Sequence, residues 1–464
     1  MVKPLKPETK LMSEMAKQVE SLATVTFRSQ QISWVISTHG VAKGLANLGF
    51  CVGKQGLKWV GAPVRVEPLN RTFGRNLSRT LMKLGPTFIK LGQILATRPD
   101  LVGEPVAEEL KVLFDRVTPV DFRSIRKILK QELGRRKLRK HFKFIDPNPM
   151  ASASISQTHR AVLGSGAPVI LKVQKPGVAR TVRADLKILA GLLKPMNALY
   201  PKYQIWKMYE DFREATLSEI DYRREAENID RFLKNYRKLF SASDVSFPKY
   251  YPEVSTERVL AMEPMRGQKI SELRKGSTVA RKAAAKGLEA VLEQIFEHGF
   301  FHADPHSGNL FFIEEEGRMG FIDLGLVGQL QPEDKKKFLH VVMAVLKRDR
   351  LRLAKALYRL GDSAPNTDYL KFEGEVQALI DDAKKQGVDN LKLEEMMNRL
   401  LGIARNNSIH VPNRYVMMLR SCLIIEGVAK SLDPNISMFS VATPVVARSL
   451  MNSYNPIQMI RRFI

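Results

Sequence analysis

The sequence is poor in cysteine. Cys51 and Cys422 are the only two in 464 residues, which excludes a disulfide framework and a zinc cluster and points to a reducing compartment. Long apolar runs are also missing. Lys43 interrupts Ile32–Val52 and Arg420 splits Tyr415–Ile425, whereas a membrane-spanning helix needs about 20 largely uncharged apolar residues. The opening Met-Val-Lys-Pro leads into no apolar leader segment, and Glu8, Glu14 and Glu20 weigh against a transit peptide. A cytoplasmic protein, at most peripheral on a membrane, is the expectation. No RNP pattern, zinc knuckle or basic region with heptads speaks for nucleic acid. Acidic charge is scarce beside basic: 48 Asp and Glu against 74 Lys and Arg leave a formal charge of +26. That excess favours solubility and attraction to polyanions, an anionic membrane surface among them. Lys335–Lys337 and Arg348–Arg352 read as solvated helix faces.

What is present concentrates in two short stretches, His302-Ala-Asp304-Pro-His306-Ser-Gly-Asn309 and Gly320-Phe-Ile-Asp323-Leu-Gly325. An H-x-D with an Asn five positions beyond the Asp, followed by an Asp-x-Gly, is the catalytic half of a kinase-like phosphotransfer site. On such a loop Asp304 can accept the proton of an attacking hydroxyl while Asn309 turns its carbonyl oxygen to Mg²⁺. Asp323 reads as a carboxylate at a strand end, able to bridge metal to phosphate oxygens. Either motif alone fits a buried Asp–Asn turn or an unrelated strand end. Together, in this order and separation, they point to phosphotransfer.

Upstream, Val169-Ile-Leu-Lys172-Val places one Lys in an apolar strand, where an ammonium needs an anionic partner. In a kinase-like site that partner is a helix Glu together with the α- and β-phosphates. Glu225 is the candidate, on a long polar helix that includes Glu219, Asp221 and Asn228. The separation from Lys172 is long, and Val178–Leu199 reads as an inserted helix. Leu260–Met265 resembles a fifth strand running into a hinge. Pro264 lacks an N–H, so the Glu263 carbonyl and Met265 N–H are the groups left to meet an adenine edge. A plain core strand would look the same.

Two features of an ordinary protein kinase are missing. Met150-Ala151-Ser152-Ala153-Ser154-Ile-Ser-Gln157 stands where a Gly-rich loop belongs, and Ala and Ser lack the backbone freedom of Gly. After Asp323 the chain runs straight to a helix, with no Ala-Pro-Glu and no long activation loop, so a platform for a peptide substrate is lacking. His306 also stands where many protein kinases carry Lys.

On these residues the chain resembles the UbiB (AarF-like) atypical kinases, over roughly Leu69 to Pro434. The marks are Lys90-Leu-Gly92-Gln93 with Thr97-Arg98-Pro99-Asp100, the Ala-rich loop, the Glu219-x-Asp221 pair and the His302–Asn309 motif. Ser307, Thr158 and Ser156 stand where the family commonly has Pro, Val and Gly. The resemblance implies that the Lys90–Gln93 helix folds over the nucleotide site with Lys90 near Glu219. In that position Glu219 and Asp221 would tune access or metal binding. It also implies ATP and Mg²⁺ as cofactors, ATPase activity with protein phosphorylation suppressed, and support of ubiquinone or related isoprenoid-lipid metabolism beside lipid-pathway enzymes.

The expected fold is α+β and two-lobed: a helical extension (1–68), a helical segment bearing Lys90 and Gln93 (69–140), a small β-rich lobe (141–266) and a helical lobe with the catalytic loops (267–464). Short strands are predicted at Phe142–Ile145, Thr158–Leu163, Val169–Val173, Phe247–Tyr251 and Arg258–Met262. Leu288, Val291, Leu292, Ile295 and Phe296 form one helical stripe for the core. The tail Asn455–Ile464 has a short apolar and basic helical pattern that suits a membrane interface or a packed terminus equally. Three other functions stay open: a small-molecule phosphotransferase of the aminoglycoside or choline kinase type, a true protein kinase, and a nucleotide-gated scaffold without catalysis.

Overall fold

The chain divides into two compact units, Met1–Asp221 with Thr256–Leu260, and Tyr222–Ser255 with Ala261–Ile464. The computed structural model describes residues 24–35, 70–96, 102–114, 118–199, 205–237, 244–346, 349–363, 367–385 and 393–453.

In the first unit, local chemistry sets the early helices. Helix α1 covers residues 24–35. Asn70 opens α2 (Arg71–Leu84) by accepting a hydrogen bond from the Phe73 N–H, the preferred role of a short polar side chain at a helix start. Gly85, at φ 93°, ends it, and Pro86 begins α3 (Pro86–Ala96) at once, where its missing N–H costs nothing. Leu77, Leu81, Phe88 and Ile89 then bury against Val106 and Leu110 of α4 (Glu104–Leu110). Gly92 allows the close packing here, since a Cβ on it would overlap the Leu81 and Leu113 side chains.

Helix α5 (Phe122–His141) leads into three antiparallel strands, β1 (Phe142–Ser152), β2 (Ser156–Leu163) and β3 (Pro168–Gln174). Alternation on β3 buries Val169, Leu171 and Val173 completely and sets Lys172 on the opposite face. Helices α6 (Val178–Leu199) and α7 (Ile205–Glu219) follow, sharing a core of Val182, Leu186, Tyr209 and Phe212. Asp185 of α6, fully buried, accepts from Arg28 Nε at 2.6 Å and from Thr87 Oγ1 at 2.6 Å. It thus ties α1 and α3 to α6.

The second unit opens with α8 (Tyr222–Arg237) and β4 (Val245–Ser246). Strand β5 (Val259–Met262) continues the first sheet, whose order is β1-β2-β3-β5. A second sheet, ordered β4-β9-β8-β6, uses β6 (Gln268–Lys269), β8 (Leu310–Ile313) and β9 (Arg318–Phe321). Between them α9 (Thr278–Glu293) widens into a π turn at Gln294–His298 and stops at Gly299. Its stripe of Leu288, Val291, Leu292, Ile295 and Phe296 is buried in the core, as the periodicity predicts. Strand β7 (Phe300–His302) pairs with β10 (Val327–Gln329). Helices α10 (Pro332–Leu346), α11 (Arg350–Leu360), α12 (Tyr369–Lys385), α13 (Leu393–Asn406), α14 (Asn413–Leu432) and α15 (Met438–Ser453) complete the unit.

Several local expectations change. The polar segment around Glu219 is not one helix: α7 ends at Glu219, and α8 starts at Tyr222. The Ala-rich loop shrinks to a hairpin turn over Ala153–Ile155, closed by the Ala153 N–H bonding to the Ser156 carbonyl at 2.9 Å. Phe247–Tyr251 forms only an isolated bridge at Tyr250 to Met262. The segment after Asp323 makes β10 before it reaches α10. Lys335 is half-buried, with its ammonium on the Glu297 carbonyl at 3.1 Å, rather than fully solvated. Cys51, Thr97–Asp100, Arg348 and the tail from Asn455 lie outside the described residues. No helix among the described residues is long and apolar enough to cross a membrane.

Candidate active site

In the second unit the H-x-D loop and the Asp-x-Gly turn are joined through one imidazole. His302 ends β7 with its ring fully buried. Its Nδ1 accepts from the Asp304 N–H at 3.0 Å, which puts the proton on Nε2, and Nε2 donates to the Ile322 carbonyl at 3.1 Å. Burial lowers the ring's pKa and keeps it neutral. The His302 backbone is held as well, its N–H on Gln294 Oε1 at 2.9 Å and its carbonyl accepting from Ser421 Oγ at 2.7 Å.

From there the loop folds on itself. The His306 N–H donates to the Asp304 carbonyl at 2.8 Å, and the Asn309 N–H to the His306 carbonyl at 2.9 Å. His306 Nδ1 accepts from the Gly308 N–H at 3.1 Å, a turn-closing role that a Lys could not perform. Asn309 Nδ2 donates to the Asp304 carbonyl at 3.3 Å. That bond commits the amide nitrogen and leaves the amide oxygen for a cation. The Asn309 carbonyl in turn accepts from the Ile322 N–H at 3.0 Å. Asp323 follows with φ 57°, a left-handed conformation that costs a non-glycine residue about 1–3 kcal/mol and is typical of functional turns.

Helix α8 braces this turn. Glu225, in its first turn and 3% exposed, lies against Gly325. Asn228 donates to the Leu324 carbonyl at 2.8 Å. Arg420, from α14, donates to Asp304 Oδ1 at 3.3 Å, and its Nε is buried with no partner among the described residues. In the sequence Arg420 marks only a charge splitting an apolar helix; a lone Arg among Met, Leu, Cys and Ile was the available signal for a site residue. Past β5, the Glu263 N–H donates to the Lys249 carbonyl at 2.8 Å, and the Met265 side chain packs over Gly320.

The first unit carries the rest. Lys172 sits mid-strand on β3, opposite Thr158 of β2. Ala151 and Ser152 end β1, and Ala153 and Ser154 form the turn beyond it. Ser152 Oγ is buried with no hydrogen-bond partner among the described residues, a polar atom that a phosphate oxygen would satisfy. Lys90 of α3 is ion-paired with Glu219 at the end of α7. Gln93 Nε2 donates to the Leu113 carbonyl at 2.8 Å. Asp221 occupies the break after α7, its N–H on the Ser218 carbonyl at 3.3 Å.

The donor set suits Mg²⁺. Among the described residues no group of three or more His, Cys, Asp and Glu gathers, so no all-protein cage exists. One carboxylate and one amide oxygen, completed by waters and phosphate oxygens, is how Mg²⁺ is commonly held.

An H-x-D loop, an Asn beside it and a strand-end Asp define an atypical kinase-like domain. Residues 112–357 match the ABC1 atypical kinase-like domain, and residues 376–437, which include Arg420, match the UbiB helical domain. The chain belongs to this ABC1/UbiB family of atypical kinases. It is 33% identical to an uncharacterised protein of Synechocystis, over 88% of this chain and 71% of the relative. It is 31% identical to a Xylella fastidiosa protein named probable protein kinase UbiB, over 85% of this chain and 72% of the relative. An uncharacterised chloroplastic aarF domain-containing protein kinase of Arabidopsis thaliana is 30% identical over 86% and 57% of the two chains.

Proposed function

We propose that the chain is a Mg²⁺-dependent ATPase or atypical kinase that serves ubiquinone or related isoprenoid-lipid metabolism at a membrane surface. The observation that carries the chemistry is the constellation of Asp304, Asn309 and Asp323 hung on His302. Asp304 would orient water or a hydroxyl and take its proton at a carboxylate oxygen. Arg420 fixes which of its two oxygens is available, because Oδ1 is engaged. Asn309 and Asp323 would hold Mg²⁺, which when bound neutralises charge on the phosphates. Lys172 would bind the α- and β-phosphates, supported by Glu225. The 151–154 turn would cover the phosphates, with Ser152 Oγ donating. The Glu263 carbonyl and Met265 N–H would meet the adenine. Lys90 and Gln93, with Glu219 and Asp221, would regulate access. The lipid link rests on family membership.

The test is phosphate release from ATP by the wild type and Asp323→Asn, with and without anionic liposomes. Release that depends on Mg²⁺, rises with liposomes and drops by at least about a hundredfold in the variant is expected. Undiminished release by Asp323→Asn would refute the metal assignment.

A further inference from the structure

The first unit contains a cavity of about 800 Å³ that none of the proposed catalytic residues lines. It lies among α6, α7, the end of β3 and Thr24 of α1. Its size is that of a small-molecule pocket. Six cations line it, Lys175, Arg180, Arg183, Lys187, Arg213 and Arg258, against one carboxylate, Glu257. Val178, Leu186 and Leu217 give it an apolar wall.

Three of the arginines have carboxylate partners: Arg183 with Glu257 at 3.3 Å, Arg258 with Glu132 at 2.6 Å and Arg213 with Glu210 at 3.6 Å. Lys175 differs. It is 8% exposed, its ammonium donates to the Thr118 carbonyl at 3.2 Å, and burial lowers its pKa. Among the described residues no carboxylate pairs with it. A buried ammonium without a counter-charge is costly unless an anion arrives. The start of α6 faces the same space: Gly177, at φ 76°, turns the chain there, and Gly177 through Arg180 line the cavity. The first N–H groups of a 22-residue helix add positive potential at that point.

We propose that this cavity binds a phosphate-bearing small molecule with an apolar body, at a site separate from the nucleotide machinery. Lys175 and the start of α6 would take the phosphate, and the Val178–Leu217 wall the apolar part. A free metabolite and the head of a lipid share this chemistry.

Titration calorimetry on the full chain separates them. The probes are phenyl phosphate, inorganic phosphate, and vesicles of phosphatidylcholine with and without phosphatidic acid. Phenyl phosphate is expected to bind about tenfold more tightly than inorganic phosphate, because only it fills the apolar wall. Lys175→Met should weaken phenyl phosphate by about tenfold or more. Arg183→Gln, at the exposed rim, should weaken it about threefold by removing one cation beside the anion. Asp323→Asn should leave it unchanged. Vesicle binding that requires phosphatidic acid and falls in Lys175→Met assigns a lipid head, and phenyl phosphate binding alone assigns a free metabolite. No binding of any probe, binding indifferent to Lys175→Met, or binding lost in Asp323→Asn overturns the proposal. The last would place the phosphate among the catalytic residues instead.

Discussion

Replacing Asp185 tests how the helices of the first unit are held. Its carboxylate is fully buried and takes three bonds: Arg28 Nε at 2.6 Å, Arg28 Nη2 at 3.2 Å and Thr87 Oγ1 at 2.6 Å. Arg28 also reaches the Leu84 carbonyl and, at 2.5 Å, Gln31. Asp185→Leu leaves a guanidinium buried without a counter-charge, which costs about 3–5 kcal/mol. The stranded Thr87 hydroxyl adds about 1–3 kcal/mol. With a urea slope of about 3 kcal/mol per molar, the unfolding midpoint should fall by about 1 M or more. The double variant Arg28→Met/Asp185→Leu removes both charges together and replaces them with apolar volume. It should be more stable than Asp185→Leu alone, retaining chiefly the loss at Thr87. Urea unfolding of the wild type, both single variants and the double closes the cycle. Single-variant effects that add within about 0.5 kcal/mol would refute a buried pair as the tie between α1, α3 and α6.

Arg420→Gln should slow phosphate release about tenfold while leaving nucleotide affinity unchanged, because Arg420 acts on Asp304 rather than on the proposed nucleotide-binding groups; unchanged turnover would remove Arg420 from the site. Glu293 has its pKa raised to about 7, by burial first and then by Glu297, with Glu289 and Asp244 adding to it and Arg448 opposing. A folded-state value above the ordinary one means stability is full below about 4.5 and is lost as pH rises through 7. Glu293→Gln should therefore stabilise the fold at pH 8, by about 1 kcal/mol after allowance for partial exposure, and do little at pH 4; equal effects at both pH values would contradict the assignment.

The sequence was most readable where chemistry dictates both residue type and spacing. The H-x-D…Asn loop and the Asp-x-Gly turn could be located directly because a kinase-like motif ties residue type to position on short loops. Val178–Leu199 stood out as an inserted helix in the long gap between Lys172 and Glu225, and it was recovered end to end. The break between Glu219 and Tyr222 was not legible, since no Gly or Pro marks it. Strand β1 ran further than expected, through Pro147 and Pro149. It lies at the sheet edge, where a proline need not interrupt a ladder, and register shifts around Pro149 absorb the irregularity. Strand β10 was hidden because three residues carry no period of their own. The Lys90–Glu219 contact was expected through family resemblance, whereas the tie between Arg420 and Asp304 depends on a helix more than a hundred positions away in the chain.

His302 has a mechanical consequence. Its ring is clamped on one edge by the Asp304 amide and on the other by the Ile322 carbonyl, so it works as a spacer of fixed width between the loop that carries Asp304 and the turn that carries Asp323. Neither can drift without dragging the other. A disturbance on either side shifts Asp304 and Asp323 together, and their relative placement is kept or lost as a single piece.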